Sequence, residues 1–324
     1  MPSSLYKINH YLDRLIPLTT PLAVAFGLLL PSVFLPLRPF VILLFAVMTF
    51  SGALKLTAGE LGAAVRSPVP ILLFFLTSHI LMPLAGFLSS SFFFDNPDLI
   101  AGFVLLFAGP TAVSGFIWVQ IFKGDKALGL TLILLDTLLA PLIVPATLSV
   151  FVSTDIAMDI SGIAVSLLFM VVVPTIIGVT LNETSKGKIP KAICPALDPF
   201  AKICLILVIA ANSSAIAPVV RFNEPLFWAV ALLCVTLTVA GFLFAKLNGI
   251  VGKFSNEKTT SLIIAGGLRN NSAVMTIAVT FFPEATVLPT LVSIIVQQTI
   301  AAIMGKLVIK KNKEDLTMSN TEEE

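Results

Sequence analysis

Two charged residues lie inside long apolar stretches of this chain. Asp136 lies within 127–151, and Arg269 lies within 259–282. If these stretches cross a membrane, a charge at that depth costs about 2.5–3.5 kcal/mol or more, so each residue is a candidate functional group by default. Asp136 is the only acid suited to be the partner of Arg269.

The pair has two competing roles, and both stay open at this point. A structural salt bridge would hold the two stretches together but add little net stability, because buried ion pairs roughly break even against desolvation. A functional pair would release Arg269 to meet a substrate carboxylate, or would let Asp136 take up a proton. The two roles can alternate during a transport cycle.

The arginine is followed by two amides, Asn270 and Asn271. Hydrogen-bond donors and acceptors therefore cluster within one helical turn, a pattern that can bind a small polar anion. Further candidates for the same site are Thr111 and Ser114, which follow a Gly-Pro step.

Three more polar residues are candidates for coupling or gating together with Asp136. His79 stands alone in an apolar stretch, where it is either a proton relay or a side chain that bonds a neighbouring helix. Gln297 and Gln298 either line a central cavity or form hydrogen bonds between helices, a frequent use of amides in membrane bundles.

These residues are predicted to lie on membrane-spanning helices. The chain has 57% hydrophobic and 12% charged residues and a mean hydropathy of +1.01, whereas about a quarter of the residues in a soluble protein are charged. Its apolar runs are long enough to cross a bilayer as helices, and they lack the short alternating segments of a transmembrane barrel. The predicted fold class is an all-α polytopic membrane protein.

The sequence predicts ten spans. With a cytoplasmic N-terminus, the Lys and Arg residues fall on the cytoplasmic side except Arg38, Arg221 and Arg269. The positive-inside rule then supports ten spans in the cell membrane with both termini in the cytoplasm. The spans lie at about 16–34, 38–57, 69–90, 99–121, 127–151, 160–181, 197–218, 225–246, 259–282 and 286–309.

Five spans followed by five more predict two inverted halves, 1–155 and 156–309, with a polar cytoplasmic linker at 182–195. Residues 310–324 are charged and predict a disordered cytoplasmic tail. Corresponding positions of the halves hold Gly109-Pro110 and Gly266-Gly267, which predict that spans 4 and 9 are broken near the membrane midplane. The alternative is that these residues only kink the helices or allow close packing.

Enzyme chemistry is not favoured. The sequence has no visible pair of nucleophile and base, no phosphate-binding glycine loop, and no metal-ligand spacing among its three cysteines. We therefore expect no cofactor, no metal centre and no nucleic-acid partner, and the expected partners are the lipid bilayer and a small organic anion. The oligomeric state does not follow from the sequence.

Several motifs resemble those of the bile acid:sodium symporter family, within the superfamily that also contains the arsenite exporters. They are the stretch from Ala108 to Pro145, with its Phe122–Leu128 element FKGDKAL, the Met82-Pro83 step, and GLRNNSAV at 267–274. The resemblance covers roughly residues 10–310. It implies a core domain of spans 3–5 and 8–10, a panel domain of spans 1, 2, 6 and 7, and broken spans 4 and 9 that cross.

The resemblance does not carry over the sodium ligands. The positions that hold the family's sodium-binding side chains correspond here to Gly115, Phe116, Gly129, Ile133, Ala265 and Arg269, while a substrate-side amide is kept as Asn270. A cation site needs oxygen ligands, and an arginine supplies a fixed positive charge instead. Dependence on sodium is therefore doubtful, and a proton is the other possible coupling ion.

The expected function is a secondary active transporter that moves a small organic anion by alternating access. Arg269, Asn270, Asn271, Thr111 and Ser114 are predicted to bind substrate. An arsenite-type exporter is disfavoured, because Thr111 stands where that branch has a reactive cysteine. The remaining alternative is a receptor or scaffold with the same fold that transports nothing.

Overall fold

The part of the chain that the structure describes forms twelve helices. The structure is a computed structural model that describes residues 19, 21–57, 68–152, 159–218 and 220–309. The helices are α1 (21–29), α2 (Pro31–Ala53), α3 (Pro68–Phe93), α4 (Pro97–Ala108), α5 (Gly115–Ile121), α6 (Lys126–Phe151), α7 (Ile160–Thr184), α8 (Lys188–Ala215), α9 (Pro225–Val251), α10 (Asn256–Gly267), α11 (Asn271–Phe281) and α12 (Glu284–Ile309).

Seven of these helices, within the described residues, are long and apolar enough to cross a membrane. They are α2, α3, α6, α7, α8, α9 and α12. The shorter helices α4 and α5 together cover predicted span 4, and α10 and α11 cover predicted span 9. The polytopic all-α class is confirmed, while the inverted repeat and the two halves stay predictions.

The first two spans divide differently from the prediction. Leu30 leaves the helical conformation, with φ −124° and ψ 53°, and α2 begins at Pro31 rather than near residue 38. The residue before a proline is pushed away from helical dihedrals, whereas proline itself suits the first turn of a helix. The predicted boundary at residue 34 therefore falls inside α2.

The connection from α7 to α8 is also tighter than the predicted linker at 182–195. Helix α7 extends to Thr184 and α8 already begins at Lys188. Gly187 adopts φ +75°, a left-handed conformation that glycine enters without steric cost. Most of the polar segment is therefore helical.

Both predicted helix breaks are present. Helix α4 ends at Ala108 and α5 begins at Gly115, so Gly109-Pro110 lies in the interruption. Helix α10 ends at Gly267, and α11 begins at Asn271. A proline lacks the N–H of a helical hydrogen bond, and paired glycines weaken a helix, which explains why the chain breaks at these points.

Two helices contain a wide π turn immediately before a proline. In α3 the turn covers Thr77–Leu81, and the N–H of Met82 bonds to the carbonyl of Thr77, five residues back. In α7 it covers Leu168–Val172, with the same bond from Val173 to Leu168. The next residues, Pro83 and Pro174, have no N–H, so the ordinary α-helical bond is lost there. The turn in α3 carries His79.

The helices pack in two main sets. Helix α2 packs on α7 and α8, whereas α9 packs on α10, α12 and α3, and α3 packs on α4. Contacts between α6 and α7 and between α8 and α11 join the sets. The predicted tail at 310–324 and the predicted junction of the two halves near 153–158 lie outside the described residues.

Candidate functional site

The two helix breaks meet each other through their backbones. The N–H of Asn270 donates to the carbonyl of Pro110 at 2.7 Å, and the N–H of Ala112 donates to the carbonyl of Leu268 at 3.3 Å. Thr111 and Arg269 thereby form an isolated antiparallel bridge. Backbone groups that the breaks release from their helices are satisfied here by the opposite break.

The side chain of Thr111 ties the breaks together further. Its hydroxyl donates to the carbonyls of Ala265 at 2.6 Å and Leu268 at 2.9 Å, both at the carboxyl end of α10. Thr111 is fully buried. Its polar atoms are thus engaged in joining the breaks, and its predicted role in binding substrate stays a prediction.

Asp136 lies on α6 beside the crossing of the two breaks and is fully buried. Its Oδ2 accepts a hydrogen bond from the N–H of Thr111 at 2.7 Å. Its Oδ1 lies 2.6 Å from Nε2 of His79, which comes from the π turn of α3. The carboxylate therefore joins three elements, namely α3, α6 and the break between α4 and α5.

The partner of Asp136 in this structure is His79, not Arg269. The described residues include no ion pair between Asp136 and Arg269. The guanidinium Nη2 instead donates to the carbonyl of Ser78 at 3.4 Å, a long hydrogen bond, and Nη1 has no hydrogen-bond partner in the described part of the chain. Arg269 is only 3% exposed. Arg269 thus contacts the backbone of Ser78, the residue before His79, and His79 bonds Asp136, but the two charges do not pair directly.

Gln297 holds the backbone of Arg269 in place. The N–H of Arg269 donates to Oε1 of Gln297 at 3.0 Å, and Nε2 of Gln297 donates back to the carbonyl of Arg269 at 2.8 Å. The amide of Gln297 thus satisfies the backbone N–H and the backbone carbonyl of Arg269, which lies between two helices. Gln297 therefore positions the arginine.

The two asparagines after Arg269 differ in their contacts. Asn270 caps α11, because its Oδ1 accepts from the N–H of Ala273 at 3.2 Å. Asn271 is buried and donates from Nδ2 to Oγ of Ser293 at 2.8 Å, while its Oδ1 has no partner among the described residues. Asn271 thus retains a free acceptor beside the arginine.

Two predicted site residues lie elsewhere. Ser114 is exposed and precedes α5 without a side-chain capping bond. Gln298 accepts a hydrogen bond from Nε1 of Trp118 at 3.0 Å, on a different face of α12 from Gln297. Successive residues of a helix are about 100° apart, so a Gln-Gln pair cannot point both amides into one cavity.

Two contributors were not predicted. Ser78 supplies the carbonyl that Nη2 of Arg269 contacts, and Ser293 bonds Asn271. Ser293 had a signal in the sequence, because Ser293 and Gln297 are four residues apart and share one face of α12. Ser78 had none, since any residue at position 78 offers a carbonyl.

A groove of about 460 Å³ lies beside the site, between α3 and α6. Its lining is aliphatic and aromatic apart from His79 and Thr147. The ring of His79 stacks on Phe75, with centroids 5.4 Å apart and planes at 28°. The histidine therefore joins the buried carboxylate to a surface groove.

Comparison with known proteins agrees with this architecture. The model of the sodium bile acid symporter family matches residues 41–222. Uncharacterized protein YbaS of Bacillus subtilis is 37% identical over 290 residues, which cover 89% of this chain and 95% of that protein. The probable sodium/metabolite cotransporter BASS1 of Arabidopsis thaliana, a chloroplastic protein, is 25% identical over 92% of this chain and 74% of its own.

A further relative is named for sodium dependence. The uncharacterized sodium-dependent transporter YocS of Bacillus subtilis is 23% identical, over 87% of this chain and 87% of its own. The family match covers more than half of the chain, and the match to YbaS extends over nearly all of it. Together with the broken helices that meet at Thr111 and Arg269, these matches show that the chain is a membrane protein of the sodium bile acid symporter family.

Proposed function

We propose that this protein is a secondary active transporter that moves a small carboxylate anion by alternating access. Membership of a symporter family supports transport as such. The observation that carries the substrate class is the buried guanidinium of Arg269, whose Nη1 has no partner in the described structure and whose Nη2 makes one long bond. An unpaired buried cation is expensive, and an anion would relieve that cost.

The neighbouring acid does not bond this guanidinium directly. Both oxygens of Asp136 already accept hydrogen bonds, from His79 and from the N–H of Thr111. A guanidinium presents donors in a fixed planar fork that matches the two oxygens of a carboxylate. The free Oδ1 of Asn271 could accept from a hydroxyl on the same molecule. A substrate screen should therefore include hydroxy acids beside simple carboxylates.

We further propose that sodium does not drive this transport, although the printed names of BASS1 and YocS include sodium. Gly115 and Ile133 occupy positions where the family resemblance leads us to expect ligand side chains. A Cβ at Gly115 would meet the side chains of Leu268, Ile264 and Ile133 at 3.5–4.0 Å, so aliphatic groups fill this position. Sodium, a hard cation, prefers oxygen ligands.

The test is uptake by proteoliposomes of radiolabelled monocarboxylates and hydroxy acids, with and without sodium. We expect uptake in sodium-free buffer. Arg269→Gln should lower it at least tenfold, because a lost charge-assisted bond is equivalent to about 1.5–3 kcal/mol. Arg221→Gln is the matched control, since that arginine is exposed and pairs with Glu224. Strict sodium dependence would contradict the coupling proposal, and unchanged uptake by Arg269→Gln would contradict the site.

The alternative is a scaffold that transports nothing. The same panel of monocarboxylates and hydroxy acids distinguishes a scaffold from a transporter. A transporter should show thermal stabilisation by a carboxylate in excess over its dissociation constant, and Arg269→Gln should lose it. A scaffold would show neither uptake nor stabilisation. We place the transporter in the cell membrane with both termini in the cytoplasm, which the distribution of Lys and Arg supports.

A further inference from the structure

We propose that His79 and Asp136 together bind a coupling proton, so that each carboxylate anion crosses the membrane with one proton. This inference rests on the proposed function, because it assumes that an anion binds at Arg269. It goes beyond that function by naming the driving ion and its site. The short distance within the pair, its bonds towards Arg269, the balance of buried charges and the stacking of Phe75 on His79 all support it.

The geometry is that of two groups sharing a proton. Nε2 of His79 and Oδ1 of Asp136 are 2.6 Å apart, and both side chains are buried, with 5% and 0% of their area exposed. A separation this short between nitrogen and oxygen requires a proton between them. The other ring nitrogen, Nδ1, has no partner among the described residues. It is the atom at which a second proton can add.

The pair is connected to the proposed anion site through few bonds. The second oxygen of Asp136 accepts from the N–H of Thr111, whose hydroxyl donates to the carbonyl of Leu268, the residue before Arg269. On the other side, the guanidinium donates to the carbonyl of Ser78, the residue before His79. A change of charge at the His79–Asp136 pair therefore affects the anion site at Arg269, and a change at Arg269 affects the pair.

The buried charges balance when the anion and the second proton are both absent or both bound. With one proton between His79 and Asp136, the buried charges are one negative carboxylate and one positive guanidinium, and their sum is zero. A bound carboxylate anion makes the sum −1, and a proton on Nδ1 of His79 restores zero. Buried net charge is costly, so each ligand favours binding of the other, and this coupling is reciprocal.

Further charged groups are remote from the pair along their helices. The π turn packs on α4, α6 and α9, and α6 also packs on α5, α7 and α10. Besides Asp136, these helices carry one buried titratable group, the thiol of Cys234, which donates to the carbonyl of Pro289. Their other titratable and charged groups lie at or near helix ends. They are Asp98, Lys126, Glu183, Lys246, Glu257 and Lys258, and Lys123 lies in the turn after α5.

Helix α3 also supplies a group that stabilises the proton. His79 lines the groove between α3 and α6, with 5% of its side chain exposed and Nδ1 buried. The face of Phe75 stacks against that ring at 5.4 Å, and an aromatic face attracts a cation. The protonated imidazole is thus paired with a carboxylate on one side and an aromatic ring on another.

The first experiment observes the proton directly. The chain has 2 histidines, so His10→Gln leaves His79 as the only one. We would follow the imidazole of this variant by ¹⁵N NMR in lipid nanodiscs, using an affinity tag without histidine, between about pH 5 and pH 9. We expect one titration, which Asp136→Asn shifts. A ring that keeps one protonation state over this range overturns the proposal, whether or not an anion is transported.

The second experiment measures coupling in sodium-free proteoliposomes with pyruvate as the probe and the voltage clamped at zero. A gradient of about one pH unit should accumulate pyruvate about tenfold, since one unit corresponds to a factor of ten. His79→Gln and Asp136→Asn should lose this accumulation, and any exchange that remains should no longer vary with pH. Asp198→Asn should accumulate normally, because that acid lies on α8 and pairs with Lys55, which follows α2.

The two proposals fail in different ways. Exchange of pyruvate without accumulation in the pH gradient overturns proton coupling and leaves the anion site standing. Exchange of no carboxylate at all, across the whole substrate panel, overturns the proposed function and this inference with it. Accumulation that His79→Gln retains would show that the proton binds elsewhere.

Discussion

Thr111 joins the buried acid on α6 to the end of α10 through its backbone and its side chain. Its N–H donates to Asp136, and its hydroxyl reaches two carbonyls at the end of α10. Each of these groups is buried, so a lost hydrogen bond could not be replaced by water without rearrangement. The single residue thus couples the acid to both helix breaks.

Replacing this hydroxyl should be costly. Thr111→Val keeps the shape but removes the donor, and we expect the free energy of unfolding to fall by about 1–3 kcal/mol. Unfolding in mixed micelles by titration with SDS would measure the change. Thr111→Ser should recover most of the loss. Thr236→Val is the control, since that hydroxyl is exposed and bonds only its own helix; an equal loss in both variants would show that the position at the break has no special role.

Helix irregularities place the side chains of the candidate site. The π turn of α3 carries His79 towards Asp136, and the breaks of the other two helices place Thr111 and Arg269 opposite each other. In each case a proline or a glycine pair lies at the irregularity. The cause is local, because each such residue weakens or removes the ordinary helical hydrogen bond at that point.

The π turn offers a test of this placement. Pro83→Ala restores an N–H that can bond the carbonyl of His79, so α3 can become regular, with its two ends rotated by up to about 100°. We expect reduced carboxylate uptake that no longer depends on pH. Pro174→Ala makes the same change in α7, where the turn carries no proposed site residue. Similar uptake by the two variants would contradict a functional role for the turn in α3.

Alternating access requires that some helix contacts change while others persist. Asn212 of α8 donates from Nδ2 to Oγ1 of Thr276 in α11 at 3.0 Å, across the predicted boundary of panel and core. Thr77 of α3 and Asn248 of α9 are hydrogen-bonded at 3.1 Å within the predicted core. The first contact should break during transport, and the second should not.

Cross-linking distinguishes these two contacts. In a variant without the three natural cysteines, a cysteine pair at positions 212 and 276 joined by a short thiol reagent should abolish uptake. A pair at positions 77 and 248, treated in the same way, should retain uptake above that of the 212–276 pair. Reduction, which removes the reagent, should restore uptake by the variant with cysteines at positions 212 and 276. Uptake that survives the 212–276 link would contradict movement of α8 against α11.

The local features of this protein could be inferred from its amino-acid sequence. Composition and apolar run length indicated a polytopic helical membrane protein, and glycine and proline located both breaks. Arg269 was identifiable because a charge within an apolar run is costly wherever its helix packs. These properties depend on a residue and its near neighbours, so they can be inferred without a fold.

Which of the polar groups meet depends on how the helices pack and could not be inferred from the sequence. Asp136 pairs with His79, which is 57 residues away, and not with Arg269, although opposite charge made the arginine the natural candidate. Ser114 is exposed in the turn before α5, and Gln298 bonds Trp118 on another face of α12 from Gln297, so both lie apart from the buried site. Charge and hydropathy are properties of one position, whereas hydrogen-bond partners depend on how helices rotate and pack against each other.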